Sequence, residues 1–221
     1  MNDEYLIRQA VATDTSFITE AIIAAEKSGT GRLGLGTLFN LAEPEIKKLL
    51  TQCLDEESSG CEFSLNSFLI TEHAGKPVAT MAGWIEGFET SIPSRAIKTN
   101  LMRFFFPKES ILAAYSKSDI VKDILIEREK NTLQVEYVYT INECRGKGLA
   151  ANLIDEHLAL SLTKYPQLIK AQVQVFNNNE SAIKLYERSG FKPTKLFTSG
   201  NKEILNYLPY NEKLLMEKMI K

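Results

Sequence analysis

The sequence predicts a mixed α/β fold, a sheet with helices on its faces, and three observations carry that prediction. Two strand-loop-helix units follow one another in the second half of the chain, at residues 133–162 and 171–191. Two alternating apolar segments, at 67–73 and 77–87, are joined by Gly75-Lys76 and read as a hairpin. Apolar residues at a period near 3.6 mark amphipathic helices before and between these strands.

Taken in order, residues 5–10 form a short first strand, and Thr13-Asp14-Thr15-Ser16 offers a cap for an amphipathic helix reaching about Lys27. Residues 28–36 are a glycine-rich connection, and a second helix is expected at about 44–54. The hairpin follows. Residues 88–131 then carry three apolar sets at helical spacing: Ala96, Ile97, Leu101, Met102 and Phe104; Ile111, Leu112, Ala114 and Tyr115 after a helix-starting Pro107; and Ile120, Val121, Ile124 and Leu125. Two or three amphipathic helices are expected there. Their apolar faces must be covered, either by padding the core or making a homodimer contact, or by walling or lidding the acceptor pocket. There is no internal repeat, and 1–221 reads as one domain.

Composition excludes several classes. With 44% hydrophobic and 24% charged residues, the chain is an ordinary globular one, long enough to bury a sizeable core. A net charge of −2, with no Lys or Arg run longer than two, argues against a nucleic-acid binder. Cys53, Cys61 and Cys144 form no C-x-x-C, and His73 and His157 lie far apart, so neither a metal site nor a disulfide framework is expected. No apolar run has the length of a membrane span, and Met1-Asn2-Asp3-Glu4 lacks the basic and apolar regions of a signal peptide, so a cytoplasmic location is expected.

The chemistry concentrates after residue 133. A β-rich run at 133–141 breaks at Asn142-Glu143-Cys144 into Arg145-Gly146-Lys147-Gly148-Leu149-Ala150, which opens an apolar-periodic helix. Such a loop points several unpaired N–H groups at one spot, where the helix dipole also favours negative charge. Gly146 and Gly148 let the backbone approach a diphosphate closely, and Arg145 and Lys147 add cationic charge. The second unit runs through a strand at 171–176, Asn177-Asn178-Asn179, a helix with Ser181, Ala182, Ile183, Leu185 and Tyr186, and Gly190-Phe191. Asn179 is a good helix cap and Gly190 a good stop.

Arg145-x-x-Gly148-x-Ala150 and Asn179-x-x-Ala182-x-x-x-Tyr186-x-x-x-Gly190-Phe191 resemble the two signatures of the GNAT superfamily of acyl-CoA N-acyltransferases, in order and spacing. The resemblance covers about the last two fifths of the chain. It implies a mixed central sheet of about six to seven strands, with residues 88–131 as a helical insertion before the fourth. It also implies acetyl-CoA as cosubstrate, an amine acceptor, and no metal. The loop 145–150 would hold the pyrophosphate. Val138, Tyr139 and Thr140, on a bulged strand splayed from its neighbour, would take the pantetheine arm. A backbone N–H near Val138 would serve the oxyanion.

Acetyl transfer from a thioester to an amine needs a proton acceptor and a proton for the departing thiolate. Glu136, in a central strand, is the candidate base, or else a solvated carboxylate on an exposed face. Tyr186 is the candidate acid, or else a core aromatic. Asn179 either holds the arm or only caps its helix. Cys144 faces the phosphate end of the resemblance and is no nucleophile, while His73 and His157 are expected to be solvated. Gly29-Thr30-Gly31-Arg32-Leu33-Gly34 matches a dinucleotide fingerprint but follows a helix rather than a strand, so NAD binding is not expected. The acidic residues Asp55, Glu56, Glu57 and Glu62 either attract a cationic amine or decorate a solvated helix end. The function implied is transfer of acetyl from acetyl-CoA to a primary amine; the alternative is a non-catalytic acyl-CoA sensor.

Overall fold

Seven strands in the order β1-β2-β3-β4-β5-β7-β6 make one sheet in the computed structural model, which describes residues 5–220. The N-terminal residues 1–4, on which the signal-peptide expectation rested, lie outside the described residues. In chain order, β1 (Leu6–Gln9) is followed by α1 (Thr15–Lys27), the short α2 (Gly34–Phe39) and α3 (Glu43–Asp55). The hairpin β2 (Phe68–His73) and β3 (Lys76–Ile85) comes next. Between β3 and β4 (Leu133–Thr140) lie α4 (Ser94–Phe105), α5 (Lys108–Ser116) and α6 (Ser118–Val121). The rest alternates: α7 (Leu149–Lys164), β5 (Lys170–Phe176), α8 (Glu180–Arg188), β6 (Lys192–Thr198), α9 (Ile204–Tyr207) and β7 (Glu212–Met219).

The sheet separates two apolar layers. On one side Ile18 and Ile22 of α1 and Ile46, Leu50 and Leu54 of α3, at helical spacing, pack on Ile70, Ala82 and Trp84. On the other, Leu149, Leu153, Ile154 and Leu158 of α7 pack on Met81, Val135, Val173 and Met216. Strand residues therefore alternate between two buried faces, and each fully buried Leu or Ile contributes roughly 2 kcal/mol. His157 is buried under β3, only 7% exposed, rather than solvated as expected. Its Nε2 lies 3.2 Å from the Ser67 carbonyl, and Gly83 leaves it room, since a Cβ there would come within 2.8 Å of the ring.

The first-layer face changes character beyond β3. Gln134, Gln172 and Glu217 form a polar ladder across β4, β5 and β7, with Gln134 Nε2 to Gln172 Oε1 at 3.0 Å and Gln172 Nε2 to Glu217 Oε1 at 2.7 Å. The chain between α6 and β4 covers it: the Ile126 carbonyl accepts from Gln174, and Glu129 pairs with Lys170. The segment joining β3 to β4 thus lies on the sheet itself. Some of its apolar side chains still face outward, Phe104 at 79% exposure most of all.

Candidate active site

A cleft opens where β4 and β5, the one parallel pair among the described strands, come apart. β4 and β5 pair at Leu133 with Ala171, Gln134 with Gln172 and Val135 with Val173, and no further. On its other side β4 slips by one residue against β3, since Thr80 faces Tyr139 while Ala82 faces Glu136. The extra residue makes a bulge, and Tyr137 takes up a left-handed φ of +52°. That conformation is costly for a bulky side chain. Tyr137 is held there by its hydroxyl, which donates to Glu26 Oε1 at 3.1 Å, and by stacking on Phe63. The bulge and the splay together leave the β5-facing edge of β4 beyond Val135 without a strand partner.

At one end of this cleft, a short turn after β4 leads through Gly146 and Gly148, both at positive φ, into α7. The amides of Gly146, Gly148, Leu149, Ala150 and Ala151 donate to no acceptor among the described residues, and the next, Asn152, is the first to find one, on Gly148. Open space surrounds both glycines, and Arg145 and Lys147 are exposed beside them. Arg145 Nε reaches the Thr140 carbonyl at 3.3 Å, and Lys147 Nζ donates to the Tyr5 hydroxyl at 2.7 Å. Free amides, a helix N-terminus and two cations form an anion cradle. Cys144 behind it is buried in the α7 layer.

Glu136 lies beside Arg128, and Tyr186 lies in the α7 layer, close enough for the charge of Glu136 to act on it. Tyr186 is buried on α8, its ring against Phe191, and its hydroxyl makes no hydrogen bond with the described residues. Burial, reinforced by the charge of Glu136, pushes its ionisation well above the ordinary tyrosine range, so it stays a proton donor. Asn179 Oδ1 accepts from the Ala182 amide at 3.2 Å, so this side chain caps α8. Val138 packs in the α7 layer, while Tyr139 meets Phe17 of α1 edge to face.

Around Glu136 the structure assembles charges that the sequence did not group. Arg128 Nη2 lies 3.1 Å from Glu136 Oε1 and 2.9 Å from Glu62 Oε1, and Lys98 Nζ is 3.0 Å from Glu62. Glu62 is 1% exposed, unlike Asp55, Glu56 and Glu57, which do decorate a solvated helix end. Burial would raise Glu62, yet Arg128 and Lys98 hold it down at about 2. Glu136 goes the other way. Burial raises it above the ordinary carboxylate range, Arg128 and Lys213 oppose the rise, and Glu62 adds to it. Two carboxylates sharing one guanidinium are thus pushed apart.

The glycine-rich connection 28–36 directly follows α1, rather than a strand, and contains the start of α2. Residues Thr30, Arg32, Thr37 and Asn40, with Leu205 and Pro209, line an open groove of about 780 Å³. Neither Glu136 nor Tyr186 lines it, but the Glu26 carboxylate lies beside Gly34 at its edge. Ser28 is tied across to Asn178, which follows β5, by two hydrogen bonds.

Residues 107–193 match the family model described as an acetyltransferase (GNAT) domain. No curated protein sequence matches the chain significantly. Among solved structures, the fold is similar to an N-acetyltransferase from Staphylococcus aureus Mu50, with a TM-score of 0.66 and 16% identity over 96% of this chain and 99% of that one. It is also similar to the crystal structure of an acetyltransferase, with a TM-score of 0.64 and 19% identity over 98% and 100% of the two chains. A ribosomal-protein-alanine N-acetyltransferase from Brucella melitensis aligns with a TM-score of 0.54 at 14% identity, over 97% and 99%. The mixed sheet and its flanking helices match the fold of these acetyltransferase structures. Among the described residues, no helix is long and apolar enough to cross a membrane.

Proposed function

We propose that this chain, which has the GNAT acetyltransferase fold and carries that family's domain at 107–193, transfers an acetyl group from acetyl-CoA directly to a primary amine. The observation that carries the reading is the shared position of the bulge and the splay. On this reading one cleft runs from the unpaired amides at 146–151, past the bulge and the splay, to Glu136 and the Tyr186 hydroxyl.

The diphosphate of the cosubstrate sits on the amides of 146–151 with Arg145 and Lys147, and the pantetheine arm lies along Val138, Tyr139 and Thr140 as a substitute strand. Glu136 accepts a proton from the acceptor ammonium, directly or through water, because an amine with a pKa near ~10.4 is mostly protonated at neutral pH. The amine nitrogen bonds to the thioester carbon, and a bulge amide near Val138 steadies the oxygen as it gains charge. The C–S bond then breaks, Tyr186 gives its proton to the thiolate, and the second proton shed by the acylated nitrogen passes through water to restore the Tyr186 hydroxyl. No acyl-enzyme is needed, which agrees with the buried position of Cys144. Asn179 serves the reaction by fixing the start of α8.

The test is thermal unfolding with acetyl-CoA, coenzyme A and NAD, followed by thiol release from acetyl-CoA against a panel of amines. Stabilisation by both coenzyme A species but not NAD, with acceptor-dependent release, is expected. Stabilisation without release from any amine would favour a non-catalytic sensor, and none at all would remove the cleft as a coenzyme A site.

A further inference from the structure

The segment between β3 and β4 sends a cation into the centre of the site. Arg128 Nη2 bridges Glu62 and Glu136, and Nη1 lies 3.4 Å from Ser94 Oγ. The guanidinium also lies over the Trp84 indole at 4.9 Å. Trp84 and Ser94 are themselves joined by Glu86, which accepts from the indole N–H at 3.0 Å and from the Ser94 amide at 2.9 Å. Lys98, over the Phe63 ring, makes the other ion pair of Glu62. A guanidinium stacked and hydrogen-bonded in this way has one orientation.

We propose that Arg128 and Glu62 are positioning residues for Glu136: the guanidinium holds one carboxylate oxygen fixed, and buried Glu62 anchors the guanidinium. The inference rests on Glu136 as the proton acceptor of the proposed reaction. Arg128 touches only Oε1 of Glu136; Oε2 makes no hydrogen bond with the described residues, and the side chain keeps 17% exposure. The free oxygen is the one available to an ammonium or a water.

Such a core is a poor way to gain stability, because desolvating charges offsets most of their attraction. Two buried atoms, Glu62 Oε2 and Arg128 Nε, even lack partners. Function explains the arrangement better. The two neighbours act on Glu136 in opposite senses: Arg128 favours its charged form, Glu62 disfavours it. The other groups that act on it are Lys213 of β7, a second cation, and Tyr186 of α8, neutral at working pH. Lys98 reaches it only through Glu62, and Glu26 of α1 engages Tyr137.

The experiment is a ¹³C-carboxyl NMR titration of Glu136, assigned by its loss in Glu136→Gln, in the wild type, Arg128→Gln, Arg128→Lys and Glu62→Gln, with folding checked by circular dichroism. The Glu136 midpoint is expected to move up in Arg128→Gln, down in Glu62→Gln, and to stay near wild type in Arg128→Lys. The acid limb of kcat/KM for thiol release should follow in the same directions. A midpoint that stays put in Arg128→Gln, or moves the same way in the Gln variants of both residues, overturns the proposal while leaving Glu136 eligible as base. Midpoints that move as expected while the acid limb does not would instead remove Glu136 as the proton acceptor, and the positioning role with it. Should Glu62→Gln fail to fold, the contrast between Arg128→Gln and Arg128→Lys decides alone.

Discussion

The two ends of the cleft are built on opposite principles. The cradle at 145–151 is made by one short stretch of chain, is open to solvent, and presents two exposed cations. The charged cluster around Glu136 draws Glu62, Lys98, Arg128 and Lys213 from four segments up to about 150 residues apart and holds them largely out of water around the buried Glu62. A site for a ligand with fixed, repeated charge can be local, because helix geometry supplies the donors. A site that must tune a proton is assembled at distance, because only tertiary packing excludes water around it.

The largest effect tests the place where the two ends meet. Tyr186→Phe should lower kcat by about 10²- to 10⁴-fold with the Kd of acetyl-CoA nearly unchanged, by stopped-flow and equilibrium titration. Glu62→Ala strikes the buried end. Leaving Arg128 and Lys98 beside an empty position should destabilise the fold by about 3 to 5 kcal/mol in urea unfolding, where no substitution at the open end does. A pH scan adds a second mark of burial. His157 is held at about 4 by burial, below the ordinary 6.5, so between these values the unfolded chain takes up a proton that the folded one refuses. Stability should therefore fall as pH drops through that window, and His157→Gln should flatten the slope. Glu62, held at about 2, should add a separate loss as pH falls below about 4.5.

At the open end, Arg145→Gln with Lys147→Gln should weaken acetyl-CoA binding about tenfold or more and leave unfolding unchanged, by calorimetry and urea titration. The smallest expected effect is Asn179→Ala. Losing the cap should cost about 1 kcal/mol of stability, with any change in acetyl-CoA affinity following from a frayed α8.

Legibility in the sequence follows the same division. The loop at 145–150 could be read because Gly146 and Gly148 and the helix after them are neighbours in the chain, and β1 to β5 could be read from their own stretches, whereas β6 and β7 were not read. The segment 88–131 showed its helices through apolar spacing but not its destination, because nothing in Arg128's surroundings distinguishes it from a solvated arginine. Glu62 was grouped with Asp55, Glu56 and Glu57 by proximity in sequence, yet it lies between the buried Cys61 and Phe63 and turns inward with them. His157 was misjudged for a related reason. The small residue that admits it, Gly83, lies on a strand more than seventy residues earlier.

The sheet is joined at its middle by three residue pairs, all at one end of β4 and β5, while every other junction is antiparallel. Mechanically that makes a zipper closed at one end. The hairpin-built half β1 to β4 and the half formed by β5, β7 and β6 each keep their own ladders, and α7 spans from the end of one to the start of the other. Amide exchange should therefore report two protected blocks, with the amides of 136–140 on the open edge exchanging fastest within β4. Anything laid between the strands would act as the missing teeth and couple the halves into a stiffer sheet.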